Sequence, residues 1–191
     1  MTFEQFSLDR RIMAGIRGVG YTTPTPIQEQ AIPLVLQGRD VLGTAQTGTG
    51  KTAAFVLPIL QRLMHGAKHH VRALVIAPTR ELAEQIHQAS VDLGRHTKVR
   101  STTVYGGVSK KRQIGALRRG AEIVVACPGR LLDLMGDRAI DLSHVEVLVL
   151  DDGWFKGRND DTTSLGDWTV DPAKYPDGLH PLANHVTTRM V

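Results

Sequence analysis

The segment of this chain with the clearest chemistry is a glycine-rich stretch that ends in lysine and threonine, AQTGTGKT at residues 45–52. Glycines let the backbone turn sharply and point successive N–H groups at one spot, and a helix that starts there adds a partial positive charge. Lys51 can reach the β- and γ-phosphates of a nucleotide, and the Thr52 hydroxyl can bind Mg²⁺. The stretch therefore predicts a phosphate-binding loop rather than a chance Gly-rich turn, although Ala45 replaces the usual first glycine. The candidate nucleotide-binding residues in it are Thr47, Gly48, Thr49, Gly50, Lys51 and Thr52.

Such a loop needs a strand before it and a helix after it, and the surrounding sequence supplies both. Short apolar runs rich in β-branched residues are typical of strands buried on both faces. They occur at residues 40–45, 73–77, 99–104, 122–126 and 145–150. Helical patterns lie between them at residues 51–63, 80–93, 109–117 and 129–135. This alternation predicts an α/β fold, a parallel sheet with helices on both faces that binds ligands at the C-terminal ends of its strands.

Composition limits the class of protein. The 191 residues suggest one domain of ordinary size, and 41% of them are hydrophobic. There is no apolar run of about 18 residues and no secretory signal at the N-terminus, so we expect no membrane span. Cys127 is the one cysteine, which excludes an intrachain disulfide and fits the reducing cytoplasm. The adjacent His69 and His70 indicate a solvated loop rather than a metal site.

The net charge of +4 is unevenly distributed along the chain. Residues 1–150 contain 19 Lys and Arg against 12 Asp and Glu, a net charge of +7. Residues 151–191 contain 4 and 7, a net charge of −3. A basic body fits a phosphate-rich partner such as nucleic acid, but charge by itself fits a merely soluble basic surface equally well.

The sequence upstream of the loop points to one family. The segment GYTTPTPIQ at residues 20–28 resembles the Q motif of DEAD-box RNA helicases, and Phe3 matches the isolated aromatic residue that precedes this motif. The resemblance implies that Gln28 reads the edge of adenine, since its amide offers a donor and an acceptor side by side. It also implies that Tyr21 packs on the base and that Phe3 belongs to the same nucleotide-binding set.

Three further segments resemble the RNA-contacting motifs of the same family, in the family's order. They are PTREL at residues 78–82, the glycine doublet at 106–107 and CPGR at 127–130, each at the end of a predicted strand. The resemblance implies RNA contacts from Pro78, Thr79, Arg80, Gly106, Gly107, Pro128, Gly129 and Arg130. Contacts of this kind are made to phosphate and ribose, so binding should be independent of base sequence and sensitive to salt. Cys127 stands where the family usually has Thr, and a small apolar strand-end residue is the alternative interpretation.

Residues 1 to about 151 are thus identified as resembling the first RecA-like, ATP-binding domain of a DEAD-box ATP-dependent RNA helicase. The resemblance implies a P-loop fold, ATP and Mg²⁺ as cofactors, RNA as partner and a hydrolase activity on ATP. The chain carries no signal for an oligomeric state.

The resemblance breaks at Asp151, where the family's Asp-Glu-Ala-Asp motif should stand. The chain has Asp151 followed by Asp152, Gly153 and Trp154. In the family the first Asp positions Mg²⁺ and the Glu positions the attacking water. Asp152 is one methylene shorter than that Glu, and a misplacement of about 1 Å can cost roughly a hundredfold in rate. The candidate catalytic residues are therefore Lys51, Asp151 and Asp152, with Thr52 and Asp151 as the Mg²⁺ ligands.

Residues 152–191 resemble a different family, the bacterial retaining α-galactosidases. The shared segments are DDGWF at 151–155, SLGDW at 164–168 and PDGL at 176–179. We expect a chimera joined within residues 148–152, because both families place an apolar strand ending in Leu-Asp before a site residue. An unusual helicase loop is the alternative. A tail of this length has neither the barrel nor the paired carboxylates of a glycosidase, so we expect an irregular segment without that activity.

Three hypotheses follow for the whole chain. In the first it is a truncated helicase domain that retains weak nucleotide and RNA binding. In the second it is a non-catalytic nucleic-acid-binding module. In the third it folds poorly, since the missing strands leave an unpaired sheet edge and an uncovered apolar face.

Overall fold

The computed structural model describes residues 2–43, 45–46, 48–151 and 172. After a short 3₁₀ turn at Phe3–Phe6, helices and strands follow one another along the described chain. The helices are α1 (Arg10–Gly18), α2 (Pro26–Leu36), α3 (Lys51–Leu63), α4 (Arg80–Leu93), α5 (Lys110–Arg118) and α6 (Pro128–Gly136). The strands are β1 (Ala73–Ile76), β2 (Ser101–Val104), β3 (Ile123–Ala126) and β4 (Val147–Leu150).

The four strands form one parallel sheet in the order β2-β3-β1-β4. β1 pairs with β3 on one side and β4 on the other, so that Ile76 lies opposite both Ala126 and Leu150. Val104 of β2 lies opposite Ala126 as well. The last residues of all four strands are therefore level, and the loops that follow them leave the sheet along one edge.

Helices cover both faces of the sheet, as the sequence predicts. Alternate residues of β1 point to opposite sides, since Val75 packs in the cluster that contains residues of α1, α3 and α4, whereas Leu74 packs in the cluster that contains residues of α6. The first cluster includes Leu57 and Ile86, and both side chains are fully buried. The α/β architecture with a doubly covered parallel sheet is confirmed, and no helix in the described residues is long and apolar enough to cross a membrane.

The strand predicted at residues 40–45 is wrong for the residues that the structure describes there. Residues 40–43 belong to neither a helix nor a strand, and Leu42 is 76% exposed. A strand needs a neighbour for its backbone hydrogen bonds, and β4 has none on its outer side among the described residues. An apolar sequence is therefore not sufficient to form a strand here. The other predicted strands and all four predicted helices are present, with ends that differ by at most two residues.

The outer side of β4 borders an open apolar cavity of about 380 Å³. Its walls come from α2, α3 and β4, with Val41 and Leu42 at the segment that was predicted as a strand. Among the described residues, the sheet is thus open at this edge. Residues 152–191, for which we predict an irregular tail, lie outside the described residues apart from Pro172.

A buried arginine ties the opposite, N-terminal edge of the sheet together. Arg72 precedes β1, and its side chain is only 4% exposed. Its Nε donates to Glu146 Oε1 at 2.6 Å, and its NH1 donates to the Leu63 carbonyl at 3.1 Å. Arg62 donates to the other Glu146 oxygen at 3.0 Å. The end of α3 is thereby linked to the starts of β1 and β4.

We expect Glu146→Gln to remove a pH-dependent part of the stability. Partial burial raises the pKa of Glu146, but hydrogen bonds from Arg72 and Arg62 outweigh it and lower the pKa below its ordinary value of 4.5. A lowered folded-state pKa stabilises the fold fully above the unfolded value, and this stabilisation is lost as pH falls through the folded pKa. Urea unfolding should show the variant less stable than wild type at about pH 7, with a difference that shrinks toward about pH 3.

Glu29→Gln is the matched control, since Glu29 has no ion pair in the described part of the chain. An equal pH dependence in wild type and Glu146→Gln would contradict this account.

Candidate functional site

The phosphate-binding loop enters α3 through a glycine whose backbone conformation disfavours other residues. Gly50 is the N-cap of α3 and has φ +88°, in the left-handed region. A Cβ atom at this position would also collide with Nε2 of Gln28. Gly48, with φ +81°, makes a second left-handed turn. Thr47 lies outside the described residues, so its predicted role is not tested.

Lys51 folds back over the loop. Its Nζ donates to the Ala45 carbonyl at 2.6 Å, and Thr49 Oγ1 donates to the Gln46 carbonyl at 2.7 Å. These bonds bring the carbonyls of Ala45 and Gln46 toward the N-terminus of α3, where an anion is favoured electrostatically. Thr52 follows in the first turn and is half-buried.

Gln28 is buried beneath this loop and does not line its exposed side. The side chain is 3% exposed, its Oε1 accepts from the Thr25 backbone N–H at 3.0 Å, and its Nε2 donates to the Gly50 carbonyl at 3.0 Å. Oε1 thus closes a capping box at the start of α2, while Nε2 anchors the phosphate loop to that helix. Reading an adenine edge, as the sequence predicts, would require the amide to share or exchange these two partners.

The two aromatic candidates stack on each other. The rings of Phe3 and Tyr21 have centroids 6.4 Å apart and planes 17° from parallel. Phe3 is buried at 2% exposure, whereas Tyr21 is 43% exposed. A base would therefore meet Tyr21, and Phe3 would support it from below and make no direct contact.

Asp151 and Lys51 line the same cavity beside β4. The Asp151 backbone N–H donates to the Ile76 carbonyl at 3.0 Å, which continues the ladder between β4 and β1 and fixes where the strand ends. The structure thus brings the predicted Mg²⁺ residue to the phosphate-loop side of the sheet. Asp152 lies outside the described residues.

The predicted RNA-contacting residues follow the ends of β1, β2 and β3 along the same sheet edge. Thr79, Arg80, Gly106, Gly107 and Gly129 are exposed, and Pro78 and Pro128 are half-buried. A Cβ atom added at Gly106 or Gly107 would meet nothing within 4 Å, so the space in front of the doublet is open for another backbone. Gly107 in addition has φ +79°, which favours glycine.

Two of these residues begin helices. Thr79 is the N-cap of α4, and its Oγ1 accepts from the Leu82 backbone N–H at 3.2 Å. Cys127 is the N-cap of α6 and makes no side-chain cap. Burial raises the pKa of the Cys127 thiol, and the Glu81 carboxylate acts in the same direction. The thiol is therefore neutral at physiological pH and a poor nucleophile.

Arg130 differs from Arg80, although the sequence predicts the same role for both. The Arg80 side chain is 64% exposed and pairs with its neighbour Glu81, whereas the Arg130 side chain is 15% exposed. Arg130 bonds to Gln113 of α5, a buried residue that the sequence analysis missed. The sequence feature that could have identified Gln113 is its position next to Ile114, which packs toward the sheet from α5.

Comparison with known proteins places this arrangement in a family. A family model described as "DEAD/DEAH box helicase" matches residues 25–153, which include the phosphate loop and every strand of the described sheet. The chain belongs to this family. The RecA-like identification from the motifs is thereby confirmed.

Curated relatives and solved structures agree with this assignment. The DEAD-box ATP-dependent RNA helicase CshA of Streptococcus pneumoniae is 49% identical over 152 residues, which are 80% of this chain and 29% of that protein. The DEAD-box ATP-dependent RNA helicase RhpA of Helicobacter pylori is 46% identical over 151 residues, 79% of this chain and 30% of that protein. The chain thus spans less than a third of these relatives' length.

Among solved structures, the RNA helicase Prp28 from Chaetomium thermophilum bound to ADP has a TM-score of 0.73 at 41% identity, with 78% of this chain and 38% of that chain covered. A hypothetical ATP-dependent RNA helicase from Sulfolobus tokodaii has a TM-score of 0.69 at 43% identity, with 75% and 41% covered.

A second family model, described as "Melibiase", matches residues 130–191. It overlaps the helicase match over residues 130–153, which include β4. The resemblance of the tail to α-galactosidases rests on this match and on the sequence segments quoted above.

Substitution of Gln28 should loosen the phosphate loop. Gln28→Ala leaves the Thr25 N–H and the Gly50 carbonyl without their partner, which costs about 1–3 kcal/mol in the free energy of unfolding. Gln28→Glu keeps an acceptor for Thr25 but cannot donate to Gly50, and it places a carboxylate against that carbonyl. We therefore expect Gln28→Glu to destabilise at least as much as Gln28→Ala in urea unfolding.

The control is Gln88→Ala, because Gln88 is exposed on α4 and should change stability by less than about 0.5 kcal/mol. Equal stability of Gln28→Ala and Gln88→Ala would show that the two Gln28 bonds contribute nothing.

Proposed function

We propose that this chain binds an adenine nucleotide with Mg²⁺ and the backbone of RNA, as the ATP-binding part of a DEAD-box ATP-dependent RNA helicase. The observation that carries the proposal is the arrangement along one sheet edge. Lys51 and Asp151 line a common cavity there, and the exposed loops after β1, β2 and β3 leave the same edge.

The residues present fit a nucleotide and its metal ion. Lys51 Nζ donates a hydrogen bond to the neutral Ala45 carbonyl, and an anionic phosphate would be a better acceptor for the same ammonium group. The Thr52 hydroxyl and the Asp151 carboxylate are oxygen ligands of the kind that Mg²⁺ prefers. When bound, Mg²⁺ would offset the negative charge of the β- and γ-phosphates. The positive end of α3 would hold the same phosphates.

The adenine would lie against Tyr21, which is exposed and supported by Phe3. Gln28 would select adenine by reorienting an amide that otherwise holds the loop. Base binding and loop anchoring would then use the same side-chain amide. Nucleotide affinity should therefore depend more on the amide group of Gln28 than on the size of the side chain at position 28.

RNA would bind across the glycine doublet and the exposed start of α4. Open space in front of Gly106 and Gly107 permits close approach of a sugar-phosphate backbone, and Arg80 is exposed at the same sheet edge. The net charge of +7 in residues 1–150 supports such a partner. Binding would ignore base sequence, because phosphate contacts carry no sequence information.

We propose that hydrolysis of ATP by this chain is slow. Asp152 replaces the Glu that positions the attacking water in the family, and a shift of about 1 Å costs roughly a hundredfold. We place the boundary between helicase-like and α-galactosidase-like sequence within residues 148–152, which gives segments 1–151 and 152–191. The overlap of the two family matches around β4 supports a junction in a strand that suits both families.

A non-catalytic RNA-binding module is the second candidate, and the basic charge of residues 1–150 favours it. It differs from the first in having no dependence on nucleotide. For either candidate, the single cysteine fits a reducing compartment, and we propose the cytoplasm.

Lys51→Ala should abolish most nucleotide binding. Titration of wild type with a fluorescent ADP analogue and Mg²⁺ should saturate, and the variant should bind at least roughly tenfold more weakly because a charge-assisted bond to phosphate is lost. Lys98→Ala is the control, since Lys98 is exposed and outside the site. Equal titration curves for wild type and Lys51→Ala would exclude the proposed site.

RNA binding distinguishes the two candidate functions. We expect fluorescence anisotropy with single-stranded RNA to show weak binding that falls steeply as salt rises, without preference for sequence. Tighter RNA binding in the presence of ATP favours the helicase-derived domain, and no effect of ATP favours the non-catalytic module. We predict no ATP-dependent separation of a duplex by this chain, and observed unwinding would contradict the slow-hydrolysis proposal.

A further inference from the structure

The Gly106–Gly107 loop is held at both ends by polar side chains from two different helices. At its start, the Tyr105 carbonyl accepts a hydrogen bond from Gln113 Nε2 at 2.9 Å. At its end, the Val108 carbonyl accepts from Arg130 NH1 at 3.2 Å. The two glycines lie between these anchored carbonyls.

The two anchoring side chains are also bonded to each other. Arg130 NH1 donates to Gln113 Oε1 at 3.0 Å, so the amide of Gln113 is engaged at both of its polar atoms. Gln113 is only 6% exposed, and such a buried amide strongly favours keeping its partners. Loss of either side chain should therefore release both ends of the loop.

Ion pairs fix the helices that carry these anchors. Arg130 Nε lies 3.3 Å from Asp133 Oδ2, and Lys110 Nζ lies 2.7 Å from Asp133 Oδ1 and 2.5 Å from Asp137 Oδ2. Lys110 begins α5, directly after the loop, and Asp133 belongs to α6. The loop after β2 and the helix after β3 thus form one connected unit.

We infer that Arg130 and Gln113 act as positioning residues, which hold the glycine doublet in its RNA-binding shape, and that Arg130 does not use its charge on an RNA phosphate. Three contacts commit the Arg130 guanidinium to the protein, and its side chain is 15% exposed, whereas the Arg80 side chain is 64% exposed. Preorganising a loop that has two glycines in sequence reduces the entropy lost on binding. The inference rests on the RNA binding proposed above.

Two charge-conserving substitutions test the inference. Arg130→Lys keeps the charge but loses the planar fork that reaches Val108 and Gln113 together, and Gln113→Ala removes the bridge without changing charge. We expect each to weaken binding to single-stranded RNA roughly tenfold, with an unchanged slope of log K against log salt. The double variant should be no weaker than the single ones, because both act through one loop.

Arg80→Gln and Arg112→Lys are the comparison variants. Arg80 is exposed at the same sheet edge, so its loss should reduce the salt slope by about 0.7, the contribution of one phosphate contact on a single strand. Arg112 is exposed and adjacent to Gln113, and Arg112→Lys should bind RNA like wild type. Unchanged affinity for the fluorescent ADP analogue shows that each variant is folded.

NMR order parameters of the backbone at residues 106–108 measure the order of the loop directly, without RNA. Lower order parameters in Arg130→Lys and Gln113→Ala, with wild-type values in β3, are the expected result. Wild-type RNA affinity in Arg130→Lys, or unchanged order parameters in both variants, would overturn the inference. If wild type binds no RNA at low salt, the proposed function fails, and the order parameters by themselves decide whether the two residues hold the loop.

Discussion

The in-register parallel pairing of β1 with β3 and β4 is the constraint on which the rest of the structure depends. β1 is buried along its whole length, so its backbone groups have no water to replace a lost partner. The pairing that satisfies them sets Ile76 level with Ala126 and Leu150. Residues that lie far apart in sequence, such as Arg80 and Arg130, are thereby brought to one edge of the sheet.

The outer side of β4 pairs with no strand in the part of the chain that the structure describes. The cavity there is apolar along α2 and α3, and residues 41–43 border it without pairing. A strand at the end of a parallel sheet offers unpaired backbone groups and apolar side chains at once. The proposed nucleotide site lies at one end of this cavity, because Lys51 and Asp151 both line it. This open edge of the described sheet therefore borders two residues of the proposed nucleotide site.

A common device stabilises the loops of the site. Gln28, Lys51, Gln113 and Arg130 each donate to a backbone carbonyl of a glycine-containing loop. Glycine gives these loops the shapes that they need but raises the entropy lost on ordering them. A polar side chain from a neighbouring helix offsets that loss. Two of the four, Gln28 and Lys51, are also residues whose chemistry suits a ligand, so loop order and ligand binding would compete for the same donors.

The sequence by itself determined the family, the parallel α/β architecture and the order of the motifs. These follow from local signals, since β-branched runs, helical periods and the GKT turn need no knowledge of distant residues. The sequence also predicts a change of character at Asp151. It did not determine that residues 40–43 stay outside the sheet, because strand formation depends on a partner that lies elsewhere in the chain.

The tertiary structure likewise determined which contacts individual side chains make. Arg80 and Arg130 occupy similar places after strand ends, but only packing of α5 against the β2 loop places acceptors around Arg130. Phe3 and Tyr21 are both aromatic candidates, but only stacking shows that one lies beneath the other. Residue type and spacing thus define what a side chain can do. Which partner the side chain contacts depends on how segments that are distant in sequence pack against one another.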